Sequence, residues 1–143
     1  MTAIPDCVAA VVSFLKTDTA VAGIAGMQIY GAELPEYRNT DQPSPTAVVL
    51  RPSGSLGLFG GYLECADQRI DCYNYAPTAR DSFALHLAVH GALKQMRRNV
   101  QGQTVLHWAK QSGGPVWQRD PVTEWPMTFV SWQVMFSERL VGS

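Results

Sequence analysis

The sequence is short of charge. Only 16% of its 143 residues are Asp, Glu, Lys or Arg, where a typical soluble domain has about 25%. The eleven Lys and Arg are scattered apart from Arg97 and Arg98, and the net charge is -1. Without a basic face there is little to meet a phosphate backbone, which argues against sequence-specific or dedicated nucleic-acid binding. A cysteine framework is missing as well: Cys7, Cys65 and Cys72 are odd in number and lack C-x-x-C spacing, so buried free thiols are expected. The N-terminus has no charged n-region, apolar run and cleavage site, and no stretch approaches the apolar length of a membrane span. A protein made and kept in a cytoplasm, without membrane association, is the expectation. Catalytic loops are lacking too, since no G-x-S-x-G, phosphate loop or G-x-G-x-x-G occurs.

What is present in excess is apolar residues, 46% of the chain. One domain of this length, spanning residues 1–143, buries roughly two thirds of the surface its unfolded chain exposes. That takes up much of the excess. A charge-poor chain also reads as one that uses part of its remaining surface on other chains.

Local patterns set the order of elements. Val8, Val11, Val12 and Leu15 recur at helical spacing over residues 5–17, with Pro5 and Asp6 suited to the first turn. Asp18 stands where an N-cap belongs before "TAVAGIAG", which Gly23 and Gly26 limit to about two turns. "MQIYGAEL" reads as a short strand, and "PEYRNTDQPSP" (35–45) as a loop. "TAVVLRP" is a strand whose continuous apolar run suits burial on both faces. The glycine-rich "SGSLGLFGGYLECAD" reads as a long hairpin connection. "QRIDCYNY" alternates Ile70 and Cys72 against Asp71, Tyr73 and Tyr75. Pro77 ends that strand and Thr78 is placed to cap a long helix, about 79–97, with Leu85, Val89, Ala92, Leu93 and Met96 on one face. Arg97 and Arg98 suit its C-terminal end. "QTVLHWAKQ" is another strand, "SGGPVWQRDPVTEWP" a long loop, and the last strand alternates Thr128, Val130, Trp132, Val134 and Phe136 with Ser131, Gln133 and Ser137. The expected fold is α+β: a largely antiparallel or mixed sheet of about five strands, with the N-terminal helix and the long helix on one face.

Candidate chemistry is thin. His86 and His90 share one flank of the long helix at the i, i+4 spacing of zinc proteases, but Leu87 stands where the H-E-x-x-H general base belongs, and His107 is the one remaining histidine. Framework imidazoles at the boundary of core and solvent are the simpler reading, with no metal, cofactor or catalytic residue assigned. A small metal-dependent hydrolase using His86 and His90 is the rival from another class. Cys72 shares a side with Ile70 and reads as an inert core thiol. Glu33 with Glu36, and Asp120 with Glu124, read as solvated loop carboxylates. Tyr73 and Tyr75 leave a ligand-binding module as a third reading. The loop aromatics Tyr37, Phe59, Tyr62, Trp117 and Trp125 either fold back as lids on the core or stand ready for a partner. Over three long loops in a charge-poor chain, the partner reading gains weight.

Three stretches resemble a known family. "RIDCYNYAPTARDSFALHLAVHGAL" is similar to a strand of the form x-V-D-V-Y-A-P-T running into an alanine-rich helix; "LKTDTAVAGIAGMQIYGAELP" and the closing "VSWQVMFSERL" resemble the flanking elements. The family is the tail terminator or tail completion proteins of long-tailed bacteriophages. The resemblance implies a non-enzymatic virion protein of the tail or neck, assembled in the host cytoplasm as a homohexameric ring on the finished tail tube. Such a ring stops polymerisation and presents the surface for head joining, so the implied partners are further copies, the tail tube protein and a head-tail connector or stopper. On that basis residues 35–45, 54–66 and 112–126 are expected to make the contacts, with Tyr37, Arg38, Leu58, Phe59, Tyr62, Trp117, Arg119 and Trp125 as interface residues. Another neck or head-completion protein is the nearest alternative.

Overall fold

A computed structural model describes residues 6–31, 44–59, 65–121 and 123–138. Each helix starts at a side-chain cap, two of them at the residues expected from the sequence. Asp6 accepts a hydrogen bond from the Ala9 N–H at 3.0 Å and opens α1 (Cys7–Thr17). It acts as the N-cap and lies outside the first turn. Asp18 accepts from the Ala20 and Val21 N–H groups and opens α2 (Thr19–Ala25), while its own N–H bonds the Leu15 carbonyl. One residue thus ends the first helix and starts the second, and the two meet at 89°. Thr78 accepts from the Asp81 N–H at 3.1 Å and opens α3 (Ala79–Gln95). That helix stops short of residue 97 because Met96 turns extended and buries its side chain. Arg97 then donates to the Lys94 and Met96 carbonyls, which are orphaned by the helix end.

Among the described residues the sheet has six strands: β1 (Ile29–Gly31), β2 (Ala47–Phe59), β3 (Cys65–Tyr75), β4 (Asn99–Gln101), β5 (Thr104–Arg119) and β6 (Pro126–Glu138), in the spatial order β1-β2-β3-β6-β5-β4. Among these strands the β1–β2 pair is parallel and the others are antiparallel. The fold is therefore α+β with a mixed, largely antiparallel sheet. The strand beyond the expected five is β4, three residues returning into β5 through Gly102 at φ +60°. It is too short to show a period of its own.

Two of the expected loops are strand. β2 continues through the glycine-rich stretch to Phe59, with a register shift between Ser53 and Gly57 that absorbs the extra residues as a bulge. β5 continues through "SGGPVWQR" to Arg119 with further shifts after Gln111 and Gly113. Gly114 explains why a strand tolerates so much glycine there: at φ +85°, a Cβ on it would lie 2.6 Å from the Phe129 carbonyl oxygen.

All three helices pack on one face of the sheet. Val11 and Leu15 of α1, Val21 of α2, and Leu85, Val89 and Leu93 of α3 meet Val48, Leu50, Ile70, Cys72, Leu106, Val130, Trp132, Val134 and Phe136 in a single buried cluster. Helix α1 touches β1 and β2 as well as β4 and β5. Strands from both ends of the strand order reach one helix, so the sheet curls around it. The apolar run of β2 is buried on both faces, Val48 and Leu50 under the helices and Val49 in a smaller cluster with Tyr75, Trp125 and Met127. The face away from the helices is closed at its centre by polar groups. Ser131, fully buried, donates to Asp71 at 2.8 Å and accepts from Arg69 at 3.3 Å; Ser53 also donates to Asp71.

Candidate functional site

The histidine pair sits inside an aromatic ladder. Phe83, His86, His90 and Trp132 follow one another at centroid distances of 5.5, 5.9 and 5.4 Å. His86 is buried and His90 half-buried, in keeping with imidazoles at the edge of the core. Burial, and then the neighbouring His90, hold the His86 imidazole below its ordinary pKa. Its Nδ1 and the Trp132 Nε1 have no hydrogen-bond partner among the described residues. His107 lies on β5 and shares a 2.7 Å hydrogen bond with the Ser137 hydroxyl. Among the described residues no three His, Cys, Asp or Glu side chains come together to hold a metal.

The other reactive candidates are likewise engaged in packing. Cys72 is fully buried, and burial pushes its thiol up to about 12, against a smaller opposing effect of its contact with Asn74. Cys7 is raised to about 12 by burial and by Asp6. Neither supplies a thiolate near neutral pH. Tyr75 donates to Asp120 at 2.9 Å and meets Trp125 edge-on, and burial together with that bond raises its pKa. Tyr73 stacks against Phe129 with the Arg51 guanidinium over its ring. Among the described residues no helix is long and apolar enough to cross a membrane by itself.

Surface is where the molecule offers something. Of the expected interface residues, Trp125 folds back as a lid, 5% exposed against Tyr75. Trp117 does the opposite. It is 54% exposed, with the Arg119 guanidinium 5.6 Å over its ring and Val116 exposed beside it. Trp117 pairs with Thr128, whose hydroxyl meets that of Ser82 on α3, so the indole lies on the helix-bearing face of the sheet. Tyr37, Arg38 and Tyr62 fall outside the described residues; Leu58 and Phe59 are in β2, as far as the backbone describes them.

Further surface went unread in the sequence. Ile24, Met27, Phe83 and Leu87 are large and exposed. For Phe83 and Leu87 the signal was present, because both are apolar residues off the core stripe of α3. A groove of about 550 Å³ between α1 and the β1–β2 edge, lined by Asp6, Val8, Ala9, Val12 and Ser13 on the helix side and by Gly31 and Pro52, had no local signal, since it joins segments distant in sequence.

No protein-family model matches the chain, and no curated protein matches it. Among solved structures, a chain of the "Virion of native gene transfer agent (GTA) particle" is similar with a TM-score of 0.65 at 19% identity, over 92% of this chain and 94% of that one. At that identity the likeness shows a shared fold.

Proposed function

We propose that this protein is a structural component of a tailed, phage-like particle, acting as one domain that forms a homohexameric ring on the tail tube. The ring ends tube polymerisation and presents the tail-side surface for head joining. The observation that carries this reading is the near end-to-end likeness of fold to a chain of a gene transfer agent virion. The arrangement of residues supports it: the Cys7 and Cys72 thiols are buried and raised, the histidine pair stacks in a ladder, and the exposed apolar side chains stand on the surface. The function is adhesive, with no bond made or broken and no cofactor. Partners are further copies, the tail tube protein and a connector or stopper, and the protein belongs in the virion neck after assembly in the host cytoplasm. Contacts come from residues 35–45, 54–66 and 112–126, with Phe59 and Trp117 as anchors.

Deleting the gene in its phage or prophage and imaging the lysate tests the role. Overlong tails without heads are expected. Tails of normal length without heads would move the protein to a neighbouring neck or head-completion position, and unchanged particles would remove it from the tail altogether. The double substitution Phe59→Ala, Trp117→Ala is expected to leave a folded protein that is missing from purified particles.

A further inference from the structure

Each molecule carries a knob and a groove on opposite sides of the strand order. The knob is Trp117 with Arg119, two residues apart on the same side of β5 and stacked at 5.6 Å. The groove lies across the sheet at the β1–β2 edge. Its walls are largely apolar, formed by Val8, Ala9 and Val12 of α1 and by Pro52, with the Ser13 hydroxyl among them and Asp6 at its α1 end. Gly31 keeps its floor open, since a Cβ there would already touch Val8 at 3.4 Å. We infer that Trp117 of one copy docks into the α1–β1 groove of a second copy, with Arg119 meeting Asp6.

The second copy is the occupant that the features favour. An exposed indole matches an apolar groove, and the cation stacked on that indole matches the carboxylate lining the groove. Knob and groove are different patches of one chain, so each copy gives one and receives the other. Such a head-to-tail contact forms a closed ring when its rotation closes. The levels also agree. Trp117 pairs with Thr128, Thr128 with Asn74 and Asn74 with Val48, so the knob stands within about four residues, or roughly 13 Å along the strands, of the groove's Gly31 and Pro52. This inference rests on the ring-forming reading for its occupant, yet it is tested without any tail.

Sedimentation of the intact protein up to about 1 mM measures the self-association directly. Wild type is expected to associate. Trp117→Ala is expected to weaken that association about thirtyfold, the size of a central tryptophan contact. Ala9→Trp, at an exposed position of α1, fills the groove and is expected to weaken it to a similar degree. Asp6→Asn keeps the helix cap and removes the charge, so a loss of about two- to fivefold that disappears in high salt is expected. A photoreactive phenylalanine at position 117 is expected to cross-link to residues 6–13 of another copy. The inference is overturned by a protein that stays monomeric throughout, or by association indifferent to Trp117→Ala and Ala9→Trp. It is equally overturned by cross-links to the chain's own residues 32–43. Any of these results leaves the tail-length experiment unaffected, so the two ideas fail separately.

Discussion

The two halves of β5 run along the same neighbour, β6, and reach different environments. Over Thr104–Ala109 the helices lie above the strand, and Leu106 is fully buried in the main cluster while Ala109 packs against it. From Ser112 to Arg119 nearly every residue is exposed, including Val116 and Trp117. Beyond Leu106 no β4 residue pairs with the strand, so its outer edge is uncovered among the described residues. Register shifts after Leu106, Gln111 and Gly113, together with Pro115, break that edge into short pieces. Bulges and proline are the means by which edge strands avoid unspecific pairing. The first half thus contributes stability, whereas the second is kept folded, discontinuous at its edge and apolar at its tip. Val116 and Trp117 together form an exposed apolar patch that the core does not use.

Three measurements sharpen this contrast. Leu106→Ala has the largest expected effect, a loss of about 3 kcal/mol in chemical denaturation, because it removes a fully buried side chain under the helices. A loss below about 1 kcal/mol would mean that the covered half is not where stability lies. A smaller effect is expected from acid. The unfolded His86 imidazole titrates near pH ~6.5 and the folded one lower, so between those values the unfolded chain binds more protons. The stability this group contributes is complete above about pH 6.5 and declines as pH falls towards the folded value. Melting temperatures measured down that range should fall, and His86→Leu should flatten the slope in part. Some slope remains from His107, which burial and Arg98 also lower. A slope unchanged by His86→Leu would show that the histidine ladder does not feel the proton. The smallest effect belongs to Trp117→Ala, with a change within about 0.5 kcal/mol in the isolated protein. A larger loss would make the tryptophan part of the fold's own support and weaken its role as an anchor.

Two helix starts were legible because capping is local: Asp18 and Thr78 each satisfy an N–H two or three residues away, and Asp6, expected in the first turn, caps α1 in the same way. The closing strand was legible because Val130, Trp132, Val134 and Phe136 keep period two against one layer of helices. The glycine-rich stretches misled for a physical reason. Glycine has weak local preference for a strand, and here the extended state is held by hydrogen bonds to β3 and β6, residues far away in sequence. Gly114 is read locally as a turn, yet its missing Cβ is what lets β5 approach the Phe129 carbonyl. Ser131 misled in the other direction. Its place in the alternation predicts exposure, but Asp71 and Arg69 from β3 close over it.

By itself the sequence determined most of the helix boundaries, the apolar face of β6 and the buried setting of Cys72, because spacing and side-chain chemistry act within a few residues. Only the tertiary structure decided that Trp125 folds in while Trp117 stands out, and that Asp6 shares a groove with Gly31 and Pro52. Those outcomes depend on which strand reaches beyond the helices and which segments the sheet brings side by side, and no local interaction carries that information.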